Sequence, residues 1–154
     1  TTGAQSYEFA WFQNNTAEVN ILVADTFYPF PQPSGGWQPT TVSTGDFTLS
    51  VAGNLRITYT GIQTRLFTLN VVFSGYKISG GNELARFTFY KNGVQTGPIV
   101  STKLEDLNKY QILNVVGPSL LATNDYLEPF AKIVNDTDNI VAETLLFWLV
   151  QLKN

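Results

Sequence analysis

The residues of this chain that could do chemistry are mostly acidic, and several of them fall in predicted turns. Asp136 and Asp138 are flanked by Asn135 and Asn139, so one short segment has two carboxylates and two amides. Carboxylate and amide oxygens are ligands that calcium prefers. The same residues are also typical of a tight turn, because Asn and Asp tolerate a left-handed backbone. We favour the turn, and we predict that the chain has no metal or other cofactor.

Two further acidic pairs, Glu105 with Asp106 and Asp125 with Glu128, are candidates for acid–base catalysis. A glycosidase needs two carboxyl groups that face each other across a cleft, and the linear spacing of these pairs does not predict such a cleft. The chain has no histidine and no cysteine, which excludes Ser-His-Asp triads, histidine metal sites and thiolate chemistry. We therefore predict that the chain is not an enzyme, because catalysis would depend on carboxylates alone.

Charge and hydrophobicity limit the partners of the chain. It has 9 basic and 12 acidic residues, a net charge of −3, and only 14% charged residues. The basic residues are scattered singly, whereas a nucleic-acid interface needs clustered Lys and Arg. The unbroken apolar run at residues 145–150 is far shorter than the roughly 18 residues of a membrane-spanning helix. We predict neither nucleic-acid binding nor membrane insertion.

Two sequence features concern processing. Asn14-Asn15-Thr16 and Asn135-Asp136-Thr137 match the acceptor pattern for N-glycosylation, at Asn14 and Asn135. Such short patterns occur often by chance, so they have meaning only if the chain enters a secretory pathway. The chain also lacks methionine, so we expect that Thr1 is not an initiator and that the chain is processed or is the C-terminal part of a longer one.

Short alternating apolar stretches separated by turn residues predict an all-β chain of about nine or ten strands, without an amphipathic helix of useful length. Asn92-Gly93 is the strongest local signal, because both residues tolerate the positive φ angles of a type I′ hairpin turn. Trp37 falls in a Pro/Gly-rich loop, and we predict that it packs the loop down. The pattern predicts one antiparallel sandwich or barrel domain over residues 1–154. The main predicted strands are residues 6–13, 18–28, 46–51, 55–60, 65–78, 84–90, 110–116, 126–134 and 140–153.

The last predicted strand is apolar on both faces. Within residues 144–152, alternate side chains point to opposite sides of a sheet. One core covers only one face of a sheet in a two-layer domain, so we expect a neighbouring subunit to cover the other face. A covering loop or an extra internal layer would serve the same purpose. One face has Leu146, Trp148, Val150 and Leu152, and the other has Leu145, Phe147 and Leu149.

Three segments of the sequence resemble a known fold family. They are residues 47–61, residues 86–94 with the Lys91-Asn92-Gly93 hairpin, and residues 120–128 before the final strand. Their order is similar to the jelly roll of tumour necrosis factor and of complement-like globular heads. The hairpin and Thr26-Phe27-Tyr28-Pro29 most resemble bacteriophage-type viral versions in fibre heads, tail-needle knobs, spikes and capsid-decoration proteins. The resemblance covers about residues 7–152, and it departs at residues 123–125, where the family commonly has a glycine before the aspartate.

This resemblance implies a ten-stranded, two-sheet sandwich that assembles as a tight homotrimer. In the family, the first and last strands lie together in the inner sheet beside the threefold axis. Both corresponding stretches of this chain are rich in aromatic residues. The expected trimer-interface residues are Tyr7, Phe9, Trp11, Tyr59, Tyr110, Phe147 and Leu149.

The leading functional hypothesis is a non-enzymatic viral structural protein, a trimeric jelly-roll head of a fibre, spike or decoration protein at the virion surface. Its expected partners are other virion proteins and a host-surface glycan or protein receptor. One alternative is a jelly roll that builds the capsid shell. Another is a secreted, cytokine-like or lectin-like binding module.

Overall fold

A computed structural model of the chain describes residues 5–39, 42–79, 81–105 and 109–152, so that Asp106 and Thr1 lie outside the described residues. Within these segments the chain forms twelve strands and no helix. It therefore has, among the described residues, no helix long and apolar enough to cross a membrane. The strands are β1 Tyr7–Phe12, β2 Glu18–Val19, β3 Tyr28–Pro29, β4 Phe47–Leu49, β5 Ile57–Tyr59, β6 Arg65–Lys77, β7 Glu83–Lys91, β8 Val94–Gln95, β9 Val100–Leu104, β10 Gln111–Leu121, β11 Tyr126–Ile133 and β12 Ile140–Gln151.

The strands form two antiparallel sheets that pack face to face. Sheet A has the order β1-β12-β6-β10, with β2 also paired to β12. Sheet B has the order β4-β5-β11-β7-β8, with β3 paired to β11 and β9 paired to β7. The first and last strands are direct neighbours in sheet A. The expected all-β, two-sheet sandwich is therefore confirmed.

The core lies between the two sheets because each long strand alternates buried and exposed side chains. In β6, every second residue from Phe67 to Phe73 is buried, and the residues between them are partly exposed. Aromatic rings from both sheets meet in this layer: the centroids of Phe73 and Phe87 are 4.5 Å apart, and those of Phe47 and Phe67 are 5.2 Å apart. Such close aromatic pairs add packing energy beyond the burial of apolar area.

Each predicted stretch contains a strand, but several boundaries differ. The stretch 18–28 contains only β2 and the start of β3, and the stretch expected to be irregular after residue 99 contains β9. Strand β10 does not end at Gly117 but continues through Pro118 to Leu121. A proline is tolerated there because β10 is an edge strand of sheet A, and an edge strand does not need every backbone donor.

The hairpin turn and the loop anchor agree with the sequence analysis. Lys91 pairs with Val94, and the two residues between them, Asn92 and Gly93, have φ angles of 51° and 82°. These values confirm the type I′ turn. Trp37 confirms its predicted anchoring role: its indole nitrogen donates a hydrogen bond to the Ser50 carbonyl oxygen over 2.9 Å, and its ring packs against the core.

Candidate oligomer interface

The outward side of sheet A has only one charged side chain among the described residues of its four long strands. It is Glu143, at the irregularity in β12, whose carboxylate lies at one end of this side, 3.4 Å from Thr144 Oγ1. We call this surface the outer face of sheet A. Strand β1 contributes Tyr7, Phe9 and Trp11 to it, and β12 contributes Thr144, Leu146, Trp148 and Val150, followed by Leu152. Strand β6 contributes Leu66, Thr68, Asn70, Val72, Ser74 and Tyr76. Strand β10 contributes Ile112, Asn114, Val116, Pro118 and Leu120. A surface of this size with a single carboxylate at one end is unusual for a chain that stays alone in water.

Aromatic residues cover the β1–β12 side of the outer face. The antiparallel register places Phe9 opposite Trp148, and their ring centroids are 5.1 Å apart in an edge-to-face arrangement. Tyr7 lies opposite Val150, and Trp11 lies opposite Leu146. Cross-strand pairs of this kind hold the side chains in fixed positions, so this side of the face is preformed.

Exposed aliphatic residues form a ridge on β10, at the other edge of the outer face. Ile112, Val116 and Leu120 are 73%, 50% and 55% exposed. Next to this ridge, Tyr110 packs edge-to-face on Tyr76 with a centroid distance of 5.3 Å. The ridge is therefore the most water-exposed apolar part of the face.

A shallow recess lies at the β1–β12 edge of the face. Its volume is about 260 Å³, and it is lined by Gln5, Tyr7, Val42, Trp148 and Val150. Four of these five residues are apolar or aromatic. The recess and the exposed side chains of the β10 ridge thus lie at opposite edges of one sheet.

The outer side of sheet B differs from this surface because it has paired charges. The Arg56 guanidinium lies 3.7 Å from the centroid of the Tyr126 ring and 3.3 Å from a Glu128 carboxylate oxygen. Farther along the sheet, the Lys132 ammonium lies 2.7 Å from an Asp25 carboxylate oxygen. Bonding to Lys132 lowers the pKa of Asp25. This side of the sandwich therefore combines paired charges with aromatic rings, among them Tyr90 and Phe130, whose centroids are 3.7 Å apart.

Comparison with known proteins identifies the fold. No protein-family model matches the chain, and no similar curated protein was found. The crystal structure of murine APRIL at pH 8.5 aligns with a TM-score of 0.55 and 12% identity, over 96% of this chain and 99% of that one. Murine APRIL at pH 8.0 gives 0.56 and 11%, over 97% and 100%. Eiger TNF from S. frugiperda gives 0.49 and 12%, over 97% and 94%.

The chain has a jelly-roll fold of the tumour-necrosis-factor type. At 11–12% identity, the similarity to murine APRIL establishes the fold alone.

Four of the seven predicted interface residues lie on or beside the outer face of this jelly roll. Tyr7, Phe9 and Trp11 belong to the face itself, and Tyr110 lies next to it against Tyr76. The first three lie at the β1 edge of the sheet, and Tyr110 lies near its β10 edge.

The other three predicted interface residues do not face outward, and their assignment to the interface is wrong. Phe147 and Leu149 are fully buried and point into the sandwich, because in β12 the odd-numbered residues from Leu145 onwards face the core. Tyr59 is 1% exposed and belongs to β5 of sheet B, where its hydroxyl donates to the Gln63 carbonyl oxygen over 2.7 Å. Side chains buried within one chain cannot contact another subunit.

The outer face also contains residues that the sequence analysis did not select. Leu146, Trp148 and Val150 were recognised as one apolar face of the last strand but were not assigned to the interface. The β10 ridge was not recognised: Leu120 lay beyond the predicted end of the strand at residue 116, and the exposed alternation of Ile112 and Val116 within the strand was not used. The alternation of Ile112, Asn114 and Val116 is a signal that could have identified the ridge.

The acidic residues first considered for chemistry are engaged in structural contacts. Asp138 accepts a hydrogen bond from Ser79 Oγ over 2.6 Å and lies 3.0 Å from the Lys77 ammonium. The Ser79 bond and then Lys77 hold the pKa of Asp138 below its usual value. Asp136 accepts from the Thr137 amide, as expected of a turn. The described residues contain no group of three acidic side chains that could hold a metal ion.

Asp125 and Glu128, the other acidic pair, have different partners and do not act together. Asp125 accepts from Asn92 Nδ2 and from the Ala122 amide, each over 2.8 Å, whereas Glu128 lies beneath Arg56. Burial acts to raise the pKa of Asp125, but the hydrogen bonds from Asn92 and Ala122 and the charge of Lys91 outweigh it and lower the pKa. Both carboxylates therefore have neighbours that are typical of structural contacts: Asp125 has amide donors and Lys91, and Glu128 has Arg56.

Proposed function

We propose that this chain is a non-enzymatic binding head that assembles as a homotrimer through the outer face of sheet A. The observation that supports this most strongly is the scarcity of charge on that face. Its four long strands, as described, bring one carboxylate to it, that of Glu143 at the Thr144 end. Protein interfaces lack charge at their centres and are enriched in aromatic residues. Phe9 and Trp148, packed together in the middle of the β1–β12 side, have the character of an interface hot spot.

The size of the face is sufficient for a stable contact. Four strands with up to 13 residues each form a surface of roughly 19 by 40 Å. Stable interfaces bury roughly 800 Å² on each partner. The projected area of the outer face, on the order of 760 Å², is therefore comparable to what one partner buries in one such contact.

The shapes at the two edges favour a ring over a two-fold dimer. A two-fold dimer pairs a surface with itself, whereas a ring pairs two different patches on each copy. The recess between Tyr7 and Trp148 and the ridge of Ile112, Val116 and Leu120 are two such patches. We infer that the ridge of one subunit packs towards the recess of the next, and the resemblance of the chain to trimeric jelly rolls implies three copies.

We propose that the trimer projects from a virion as the head of a fibre, spike or decoration protein. The similarity of Lys91-Asn92-Gly93 and of residues 26–29 to viral jelly rolls supports this setting. In this arrangement the charged outer side of sheet B and the loops face the surroundings. Its partners would be other virion proteins and a glycan or protein on the host surface.

A secreted, cytokine-like ligand is the second candidate. It is favoured by the end-to-end correspondence of the fold with murine APRIL, over 96% of this chain and 99% of that one. Both candidates share the trimer and an extracellular location. They differ in the attachment of the chain, so immunogold labelling of purified virus particles separates them: labelled particles support the virion head, and soluble antigen alone supports the ligand.

Sedimentation velocity of the purified chain at micromolar concentration tests the assembly. We expect one species with three times the chain mass of 17.1 kDa. A stable monomer over the same concentration range would overturn the proposal.

A further inference from the structure

A second surface feature lies outside the outer face of sheet A. It is a groove between β2 and β3, where the two sheets approach each other at one side of the sandwich. Its volume is about 270 Å³. It is lined by Leu22, Tyr28, Pro29, Pro31 and Gly53, which form an apolar and aromatic wall, and by the polar side chains of Glu18, Asn20 and Asn54.

Several polar groups in the groove have no protein partner. Within the described residues, no hydrogen bond involves the side-chain amides of Asn20 and Asn54 or the hydroxyl of Tyr28. Glu18 is oriented by Asn139, whose Nδ2 donates to Glu18 Oε1 over 3.0 Å, and its second carboxylate oxygen is left for another donor. The groove therefore offers two amides, a hydroxyl and a carboxylate oxygen to a ligand.

The side of the groove formed by Pro29, Pro31 and Asn54 is rigid. Pro29 and Pro31 have fixed φ angles. The Asn54 carbonyl oxygen accepts from Gln32 Nε2 over 2.8 Å and from Ser50 Oγ over 2.9 Å, which fixes the backbone that presents the Asn54 amide. A preformed site loses little conformational entropy when a ligand binds.

We propose that this groove binds one neutral sugar residue of a glycan. The C–H face of a pyranose ring is apolar and fits the Tyr28 and proline wall, whereas its hydroxyl groups both donate and accept. The Glu18 carboxylate accepts from hydroxyl groups, and the Asn20 and Asn54 amides do both. The volume lies just below the roughly 300 Å³ at which sites for drug-sized ligands begin, so it has room for one ring.

The charge of the groove selects a neutral sugar over an acidic one. Its lining has one carboxylate, Glu18, and neither Lys nor Arg. A sialic acid or sulfated sugar would place a second negative charge near Glu18 without a compensating cation. Neutral hexoses and N-acetylhexosamines have no such penalty.

This inference goes beyond the proposed trimer and does not depend on it. All lining residues belong to one chain, and none of them is part of the outer face of sheet A. A trimer would have three open grooves, and three weak sites on one particle give a much higher apparent affinity for a cell surface with many glycans.

Saturation-transfer NMR with methyl glycosides of mannose, galactose and N-acetylglucosamine tests the proposal on the complete chain. We expect signal from at least one of them, with a dissociation constant in the millimolar range for one ring. The double variant Asn20→Ala/Asn54→Ala should bind at least about tenfold more weakly. Ile62→Ala, which changes a 93% exposed side chain outside the groove, should bind as the unmodified chain does.

Three results would overturn the proposal that the groove binds a neutral sugar. They are no saturation transfer to any of the three glycosides, equal saturation transfer with the double variant and the unmodified chain, or saturation transfer to sialyllactose alone. Sedimentation of the same samples separates this test from that of the assembly. A trimer that binds no glycoside refutes only the groove, and a monomer that binds one refutes only the trimer.

Discussion

Phe147 and Trp148 are adjacent aromatic residues of β12 that point to opposite sides of sheet A. The Phe147 ring is fully buried in the sandwich core, with its centroid 6.0 Å from that of Trp37. The Trp148 ring lies on the outer face against Phe9. One strand thus contributes to two apolar layers, one within the chain and one that we assign to the contact between chains.

Truncation of Phe147, in the inner layer, should lower the stability of the fold. Phe147→Ala leaves a cavity in the core, so it should lower the free energy of unfolding by about 3–5 kcal/mol. Ile62→Ala is the control, because the Ile62 side chain is 93% exposed and lies outside both layers, so it should change the free energy of unfolding little. Urea denaturation at one protein concentration compares them. Equal losses in the two variants would contradict the assignment of Phe147 to the core.

The sequence was sufficient to predict the two-sheet sandwich, the hairpin at Asn92-Gly93 and a last strand with two apolar faces. It was not sufficient to predict which face points inward, because Phe147 and Trp148 are both large and apolar. The register between β1 and β12 decides this, together with the irregularity between Ala142 and Thr144 that shifts the alternation in β12. Neither has a local sequence signal.

The glycan groove could not be predicted for a related reason. It combines residues 18–22, 28–31 and 53–54, which are distant in the sequence. The bridge between Pro31 and Asn54 brings two of these segments together. Each segment alone resembles an ordinary turn or a short strand.

Glu8 is a buried carboxyl group whose ionisation should oppose folding. It is 3% exposed, and its Oε2 atom has no hydrogen-bond partner among the described residues. Burial raises the pKa of Glu8, and a hydrogen bond from Ser43 opposes this only in part. Because the folded pKa is raised above the usual 4.5, the stabilisation is complete below that value and is lost as the pH rises through the folded pKa.

Glu8→Gln should therefore stabilise the chain at neutral pH, by on the order of 1 kcal/mol, and flatten the dependence of stability on pH. Thermal denaturation between about pH 4 and about pH 8 measures this. Glu83→Gln, at a partly exposed position in β7, is the control and should change little. A loss of stability at neutral pH in Glu8→Gln would show that the carboxylate has a partner when ionised.

The Lys77–Asp138 pair should have the opposite pH dependence. The Lys77 side chain is fully buried, and its ammonium donates to Asp138 and to the Ser79 carbonyl oxygen. Because the Ser79 hydroxyl and Lys77 lower the pKa of Asp138, its stabilising contribution is present above the unfolded pKa and is lost as the pH falls through the folded pKa.

Asp138→Asn should lower the free energy of unfolding at neutral pH by about 1–3 kcal/mol, because it weakens the compensation of a buried cation. Asp136→Asn, two residues away, removes a charge whose one hydrogen bond among the described residues is from the adjacent Thr137 amide. It should have a much smaller effect. Chemical denaturation of both variants at neutral pH measures the difference. Two variants of equal stability would contradict a structural role for the pair.

The most direct test of the central claim is the mass of the variant Val116→Glu in solution. Val116 is 50% exposed on the β10 ridge, whereas Ile62 is 93% exposed outside the outer face of sheet A. A charge buried at an interface without a partner is strongly unfavourable. Sedimentation velocity should therefore give a folded monomer of 17.1 kDa for Val116→Glu and a trimer for Ile62→Glu. A trimer in both variants, at the same concentration, would contradict the assignment of the outer face to the subunit contact.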